Sequence, residues 1–520
     1  MAKLGPVRFL AGLAGLAGLA GLVSALAVAA PASADEPRGV AEPILFSEPA
    51  EITQVADAVD GDDPFDLLLT AGLVQTWKTA QIRRETSITQ DGLSSGGFTS
   101  RALNVAEYTE STSRLNTRAD IGLYKDLALV LRLPIILSND RELASVKGSG
   151  AMQTVTLAGA PGEQLFSLPF KSPTRSGIEY LAVGLDVGIL NQARDYTKPT
   201  WVFGAEGRFD VAEPMRACKE STQGLNLNSQ QQKCANPSDV NRDGVADKPA
   251  VANAVPLEGS FAGGRAPGVS RGTTGLEVHT YLSKRVKYIE PYGGFTALFE
   301  FANDSSEYGA SRNLKGVLVN HPPLQGSMIV GINVIPWEAR GDFQRLTFDF
   351  RSTGTYVSEG RDYTELFDAL GSSDAPSLRN PNFAGYMANP AFPGTSPDPS
   401  IIDPNSTKVY SEGLSDTQQY AEMKLTSQFT WQPGQYVKFN LGGGLKLTQS
   451  HLITYDQACA TGQSNTVAEA GPCRSQSGGA FTASGVPNPH FRRVIDDPGS
   501  RFLVDGSHSF DAWLNVVLML

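Results

Sequence analysis

The densest set of chemistry-bearing residues is the run Asp239-Val-Asn241-Arg-Asp243-Gly244-Val245-Ala-Asp247. Side-chain oxygens at its first, third, fifth and ninth positions, the backbone carbonyl of Val245 at the seventh and a glycine at the sixth form the donor pattern of a calcium loop. The twelfth position, where a two-helix calcium site has its bidentate Glu, is Ala250, and no helical period flanks the run. A calcium ion here would stiffen a loop. The competing reading is a solvated acidic turn.

Other candidates carry less. Gly92-Leu-Ser94-Ser-Gly96 has the spacing of a hydrolase nucleophile elbow, but that turn needs a strand before it and a helix after it. Here the surroundings are rich in Gly and Ser. The histidines at 279, 321, 451, 490 and 508 are scattered, and HExxH, phosphate-loop and dinucleotide patterns are missing. No catalytic residue and no cofactor other than calcium is assigned. The four cysteines fall as Cys218 with Cys234 and Cys459 with Cys473, each pair in a polar stretch without CxxC spacing or an adjacent His. Disulfides within each stretch are the simplest of the possible connectivities, and they imply an oxidising compartment.

The remaining candidates are charges that recur at every second residue. Arg118, Asp120, Arg132, Glu206, Arg208, Asp210, Glu277, His279, Asp349, Arg351, Lys438 and Lys446 each lie opposite an apolar face. Glu206, Arg208 and Asp210 alternate against Phe203, Phe209 and Val211, and Asp349 and Arg351 against Phe348 and Phe350. A period of two is the signature of a strand with one apolar and one polar face.

Such segments lie near 67–86, 113–125, 127–138, 177–190, 199–212, 272–283, 287–301, 326–337, 344–358, 417–432, 435–450 and 508–520. The connections alternate between short and long. The long ones, near 87–112, 139–176, 213–271, 302–324, 359–416 and 451–507, all fall at the same end of the strand array. Tyr124, Trp201, Tyr288, Trp337, Trp431 and Tyr436 cluster next to the short turns, where an interfacial aromatic girdle would sit. Residues 1–34 have a basic start at Lys3 and Arg8, an apolar run from Phe9 to Ala30 and a small-residue cleavage site, the layout of a signal peptide. An uncleaved anchor is the rival reading. Residues 35–66, Pro-rich and then acidic, form a periplasmic tail or a plug ahead of a body spanning 67–520.

With 43 basic and 54 acidic residues the net charge is -11, which disfavours a nucleic-acid partner. Mean hydropathy is -0.17, as in a soluble protein. A soluble sandwich would not place every long connection on one side, however, and its loops would rarely be so long.

The chain thus resembles the porin-like outer-membrane β-barrels of Gram-negative bacteria, in its leader, its alternation of strands and loops, and its final strand Ser509–Leu520. Leu520 departs from the terminal aromatic residue common in that group. The resemblance implies an all-β, up-and-down antiparallel transmembrane barrel of about twelve strands, with short periplasmic turns and long extracellular loops. It implies outer-membrane lipid as a partner and a channel for small polar solutes, with the alternating charges lining the lumen. A barrel that only anchors a surface or adhesive protein, an outer-membrane hydrolase and a carrier of hydrophobic substrates stay open. The solute and the oligomeric state are not legible.

Overall fold

A computed structural model describes residues 50–60, 63–89, 98–146, 165–166, 168–218, 267–310, 319–373, 380–381, 408–409, 412–455, 473–474, 486–487 and 501–520. The leader, the calcium-type loop and the Gly92–Gly96 segment lie outside them.

Twelve long strands close into one antiparallel barrel. They are β1 (Leu67–Thr89), β2 (Phe98–Tyr124), β3 (Leu127–Ser145), β4 (Leu181–Leu190), β5 (Thr200–Phe209), β6 (Thr273–Ser283), β7 (Ile289–Ala302), β8 (Gln325–Ala339), β9 (Gln344–Val357), β10 (Tyr420–Gly434), β11 (Val437–Thr448) and β12 (Arg501–Met519). Each pairs with its sequence neighbour, and β12 pairs with β1 from Phe502↔Arg84 to Met519↔Leu68. Beyond the last rung, Leu67 and Leu520 exchange backbone hydrogen bonds of 2.8 and 2.9 Å. No terminal aromatic is needed to complete that pair.

The alternation fixes which face is which. Phe203, Phe295, Phe301, Met328, Val330, Phe350, Leu425 and Leu441 are exposed on the outside. Residues on the opposite face of the same strands, such as Glu206, Asp349 and Asn440, point inward and are mostly buried. A lipid-facing belt and a polar interior require that arrangement. The short turns carry exposed Tyr124, Tyr196, Tyr288 and Tyr436, and the strand ends beside them carry Trp201, Trp337 and Trp431.

Strand lengths depart from the sequence reading. The first connection is residues 90–97 rather than 87–112, because β1 and β2 continue as a paired ribbon from Ile82↔Ala106 to Thr89↔Phe98. The third strand runs to Ser145 and the last begins at Arg501. Their outer portions stand above the belt and need no lipid-facing alternation, so the period of two fades there. A bulge between Asp505 and His508 in β12 marks the change, with Gly506 at a φ of 58° that favours glycine.

The outer portions share a hydrophobic core with the loops. Leu366, Ala369 and Leu370 on and beside a short helix, α1 (Phe367–Gly371), pack against Ala80, Ile82, Ala106 and Tyr108. Two buried ion pairs hold this assembly. Both Arg175 terminal nitrogens donate to Asp368, at 2.9 and 2.5 Å, and Arg361 pairs with Glu412. Removing one partner of such a pair would strand a buried charge.

Inside the barrel, Gly442 lies under Trp513, and a Cβ there would stand 2.3 Å from the indole ring. Gly442→Val is expected to destabilise the barrel by about 1–3 kcal/mol through overpacking. Gly354→Ala, where nothing stands within 4 Å, should not. Urea unfolding of the purified barrel, followed by its heat-modifiable gel mobility, checks both.

Candidate functional site

The inward faces of the strands enclose a polar chamber. A cavity of about 580 Å³ is lined by Arg114, Arg118, Arg132, Asp186, Glu206, Glu277, His279, Tyr281, Asp349, Arg351, Lys424, Asp511, Trp513 and Asn515, among others. Cations and anions alternate around it. Arg118 donates from Nε to both Asp120 oxygens at 2.8 and 2.9 Å and lies 3.5 Å from Asp186. Asp186 also meets His279 Nε2 at 3.0 Å. Arg132 pairs with Glu206 and Arg208 with Glu277, and Arg132 lies 3.5 Å from Glu277. These residues stand on β2 to β6, so the charges form a ladder that crosses five strands.

The opposite wall is sparser. The Tyr292 phenol donates to Asp349 and accepts from Arg351 Nε at 3.0 Å. Lys424 meets Asp511 at 2.5 Å, and Lys446 meets Glu422 at 3.0 Å. Trp513 Nε1 donates over Gly442 of the intervening β11 to Gln428 of β10 at 2.9 Å.

Of the residues singled out from sequence, Arg118, Arg132, Glu206, Glu277, His279, Asp349 and Arg351 line this chamber. Asp120 and Lys438 lie lower, with Arg118 and Asp349, in a second hollow below it. Arg208 and Lys446 face the same interior through their ion pairs. Asp210 is different. It lies one residue past β5, where it accepts a 2.5 Å hydrogen bond from Ser270. The run of alternation ends at Phe209, so Asp210 belongs to the loop. Cys218 is buried near Asp368 and Cys473 is in a two-residue strand, while Cys234 and Cys459 lie outside the described residues. Asp239, Asn241, Asp243, Val245 and Asp247 do too.

Sequence reasoning left out Asp511, Trp513, Tyr292 and Glu290. The first two share a face with Asn515, so extending the alternation along the last strand would have found them. Tyr292 and Glu290 alternate on β7, but Pro291 and Gly293–Gly294 blur the pattern.

Both ends of the chamber are occupied by chain. At the short-turn end, Ala50 N donates to Glu290 at 3.0 Å and Thr53 bonds Ser283 at 3.0 Å. Glu51 accepts from Gln428 at 2.9 Å and Gln54 from Lys438 at 3.2 Å. Val55 and Ala56 pack on Leu68, Ala128 and Val202. These contacts reach β1, β3, β5, β6, β7, β10 and β11, so the segment crosses the lumen.

At the other end, residues 359–373 reach two opposite walls. Glu365 meets Lys78 of β1 at 2.7 Å, and Asp362 meets Arg271, beside β6, at 2.9 Å. Tyr363 packs edge-on against Tyr308 at 5.8 Å.

The alternating belt, the aromatic girdle and the closed register leave one environment for this sheet. The chain folds as a closed β-barrel of the outer-membrane type. No family model matches it, and no curated protein does. Among solved structures it is similar to an outer-membrane channel from Pseudomonas putida F1, at 10% identity and a TM-score of 0.32, over 89% of this chain and 100% of that one. A FadL homologue from Pseudomonas aeruginosa matches at 9% identity and a TM-score of 0.30, over 92% and 96%. The outer-membrane protease OmpT from Escherichia coli matches at 6% identity and a TM-score of 0.25, over 88% and 99%. Likenesses of this size carry no function across to the barrel.

The Glu365 latch is sensitive to acid. Burial opposes ionisation of its carboxyl, but the Lys78 ammonium, with His451 nearby, outweighs burial and holds it below the usual carboxylate range. A carboxyl depressed on folding stabilises the folded state above its ordinary value, and that contribution fades as pH falls through the folded value. Protection factors for amide exchange across residues 365–371, each referred to the intrinsic exchange rate at that pH, are therefore expected to fall as pH drops below the ordinary carboxylate range. Glu365→Gln should flatten that pH dependence; an unchanged profile would dissociate the latch from titration.

Proposed function

We propose that this barrel is a gated channel for small polar solutes, at rest in a closed state. The supporting observation is the charged chamber of about 580 Å³ between the segment at 50–57 and the loop segment at 359–373. Its lining alternates guanidinium, ammonium and carboxylate groups, which suits a hydrated solute with charges or several hydroxyls. An apolar solute in the same space would strip water from these ions without replacing their hydrogen bonds.

In this reading, residues 50–57 are a periplasmic plug, part of an N-terminal segment at 35–66 that follows a cleaved signal peptide. Conduction requires the plug to leave Glu290 and Ser283, and the extracellular cover to release Lys78 and Arg271. The wall itself stays fixed. The long loop at 213–271 would be stiffened by a Cys218–Cys234 disulfide and by calcium at Asp239, Asn241, Asp243, Val245 and Asp247. A Cys459–Cys473 disulfide would do the same for the loop at 451–500. No step in this mechanism is catalytic.

Deletion of residues 50–57 is expected to convert rare, brief openings in a planar bilayer into sustained ones of larger conductance. Larger polar sugars should enter liposomes carrying the deletion faster than liposomes carrying the intact protein. If the intact and deleted barrels are both folded and both silent, the barrel is an anchor and the channel reading fails.

A further inference from the structure

The outer wall of the barrel is not uniformly convex. On most of it the outward side chains stand free, and Val330 on β8 is 54% exposed. Val516 on β12 also points outward, yet it is 7% exposed. The difference comes from a hollow of about 660 Å³ in the belt, walled almost wholly by apolar atoms and running from β10 across β11, β12, β1, β2 and β3 to the start of β4. A convex wall cannot offer one hollow to seven consecutive strands, so the sheet is dented here.

The register explains the dent. One lateral row reads Phe439–Val516–Ala71–Thr117–Leu133 across five strands. Bulky side chains stand at its ends and small ones at its centre. Ala119, on the adjacent row, extends the shallow floor toward the short-turn end. The hollow occupies the half of the belt nearest the short turns, since β1 and β11 have only just begun and β12 is about to end.

Its foot is built for a polar headgroup. Tyr124 and Lys125 are exposed at the β2–β3 turn below one flank, and Tyr436 is exposed at the β10–β11 turn below the other. Lys125 has no ion-pair partner among the described residues. Tyrosine and lysine at this level suit a phosphate at the membrane boundary.

We infer that the dent between β10 and β4 is a binding site for one anionic phospholipid of the periplasmic leaflet. An acyl chain lies over Ala71, Thr117 and Ala119, and the headgroup phosphate meets Lys125. The hollow is continuous with the lipid-facing belt, so a lipid tail reaches it without leaving the membrane. The site is separate from the lumen and does not depend on the channel reading. Its consequence is a lipid that co-purifies with the barrel and braces the wall where the first and last strands meet.

Native mass spectrometry tests this, with the full-length protein exchanged into lipid-free detergent and then supplied with phosphatidylglycerol or phosphatidylcholine. The expected result is one phosphatidylglycerol retained per barrel, in preference to phosphatidylcholine. Ala119→Phe should lower retention about tenfold by filling the hollow, and Val330→Phe on the far wall should leave it unchanged. Lys125→Glu should abolish the preference for the anionic lipid. Heat-modifiable mobility verifies folding of each variant, and Ala71→Leu replaces Ala119→Phe if that variant fails to fold. Equal retention by Ala119→Phe and Val330→Phe overturns the site, as does a dimer that Ala119→Phe dissociates in place of bound lipid. An unchanged preference in Lys125→Glu overturns the headgroup assignment.

Discussion

Every other feature of this molecule depends on the rule that a backbone polar group in hydrocarbon must be bonded to another backbone group. A sheet meets the rule only by leaving no edge, so β12 has to find β1 and the two must register over their whole shared length. The backbone bonds just beyond the last rung, between Leu67 and Leu520, lie at the very foot of that seam. Once closure is fixed, the alternation of side chains divides the chain into a lipid-facing population and an enclosed one, and the enclosed charges have to pair among themselves.

Pairing gives the interior its character. An isolated ion inside a narrow barrel would be costly, whereas Arg118, Asp120, Asp186 and His279 are joined by ion pairs and hydrogen bonds that reach from β2 through β4 to β6. The ladder on β2 to β6 is therefore both the support of that wall and the polarity of the chamber. The same economy applies at the ends, where Glu290 caps the backbone nitrogen of Ala50 and Lys78 holds Glu365.

Much of this was legible in the sequence, because a period of two reads out directly as the two faces of a wall. The barrel, its strand count, the end carrying the long loops and most of the lumen charges follow from it. The path of residues 50–57 across the lumen was not fixed by the local sequence, since Glu51, Thr53 and Gln54 bond residues hundreds of positions away. The cover at the long-loop end was not legible at all. Ile82, Tyr108 and Phe502 bury against loop residues rather than lipid, and no local periodicity records which loop will cover a strand. Asp210 was misplaced for the opposite reason, as the alternation was continued through Val211, past the end of its strand at Phe209. The dent in the outer wall depends on small residues meeting side by side across strands, a relation that becomes visible only in the register.

The seam also dictates the order in which the protein can be made. Thr76 and Asp511 face each other across it, 435 positions apart in the chain, and such distant contacts are slow to form. Neighbouring hairpins can zip as the chain emerges, but the first strand must wait for the last. Throughout that interval two open strand edges would be free to pair with the wrong partner. Folding of this barrel is thus a problem of custody: something must shelter β1 until β12 arrives.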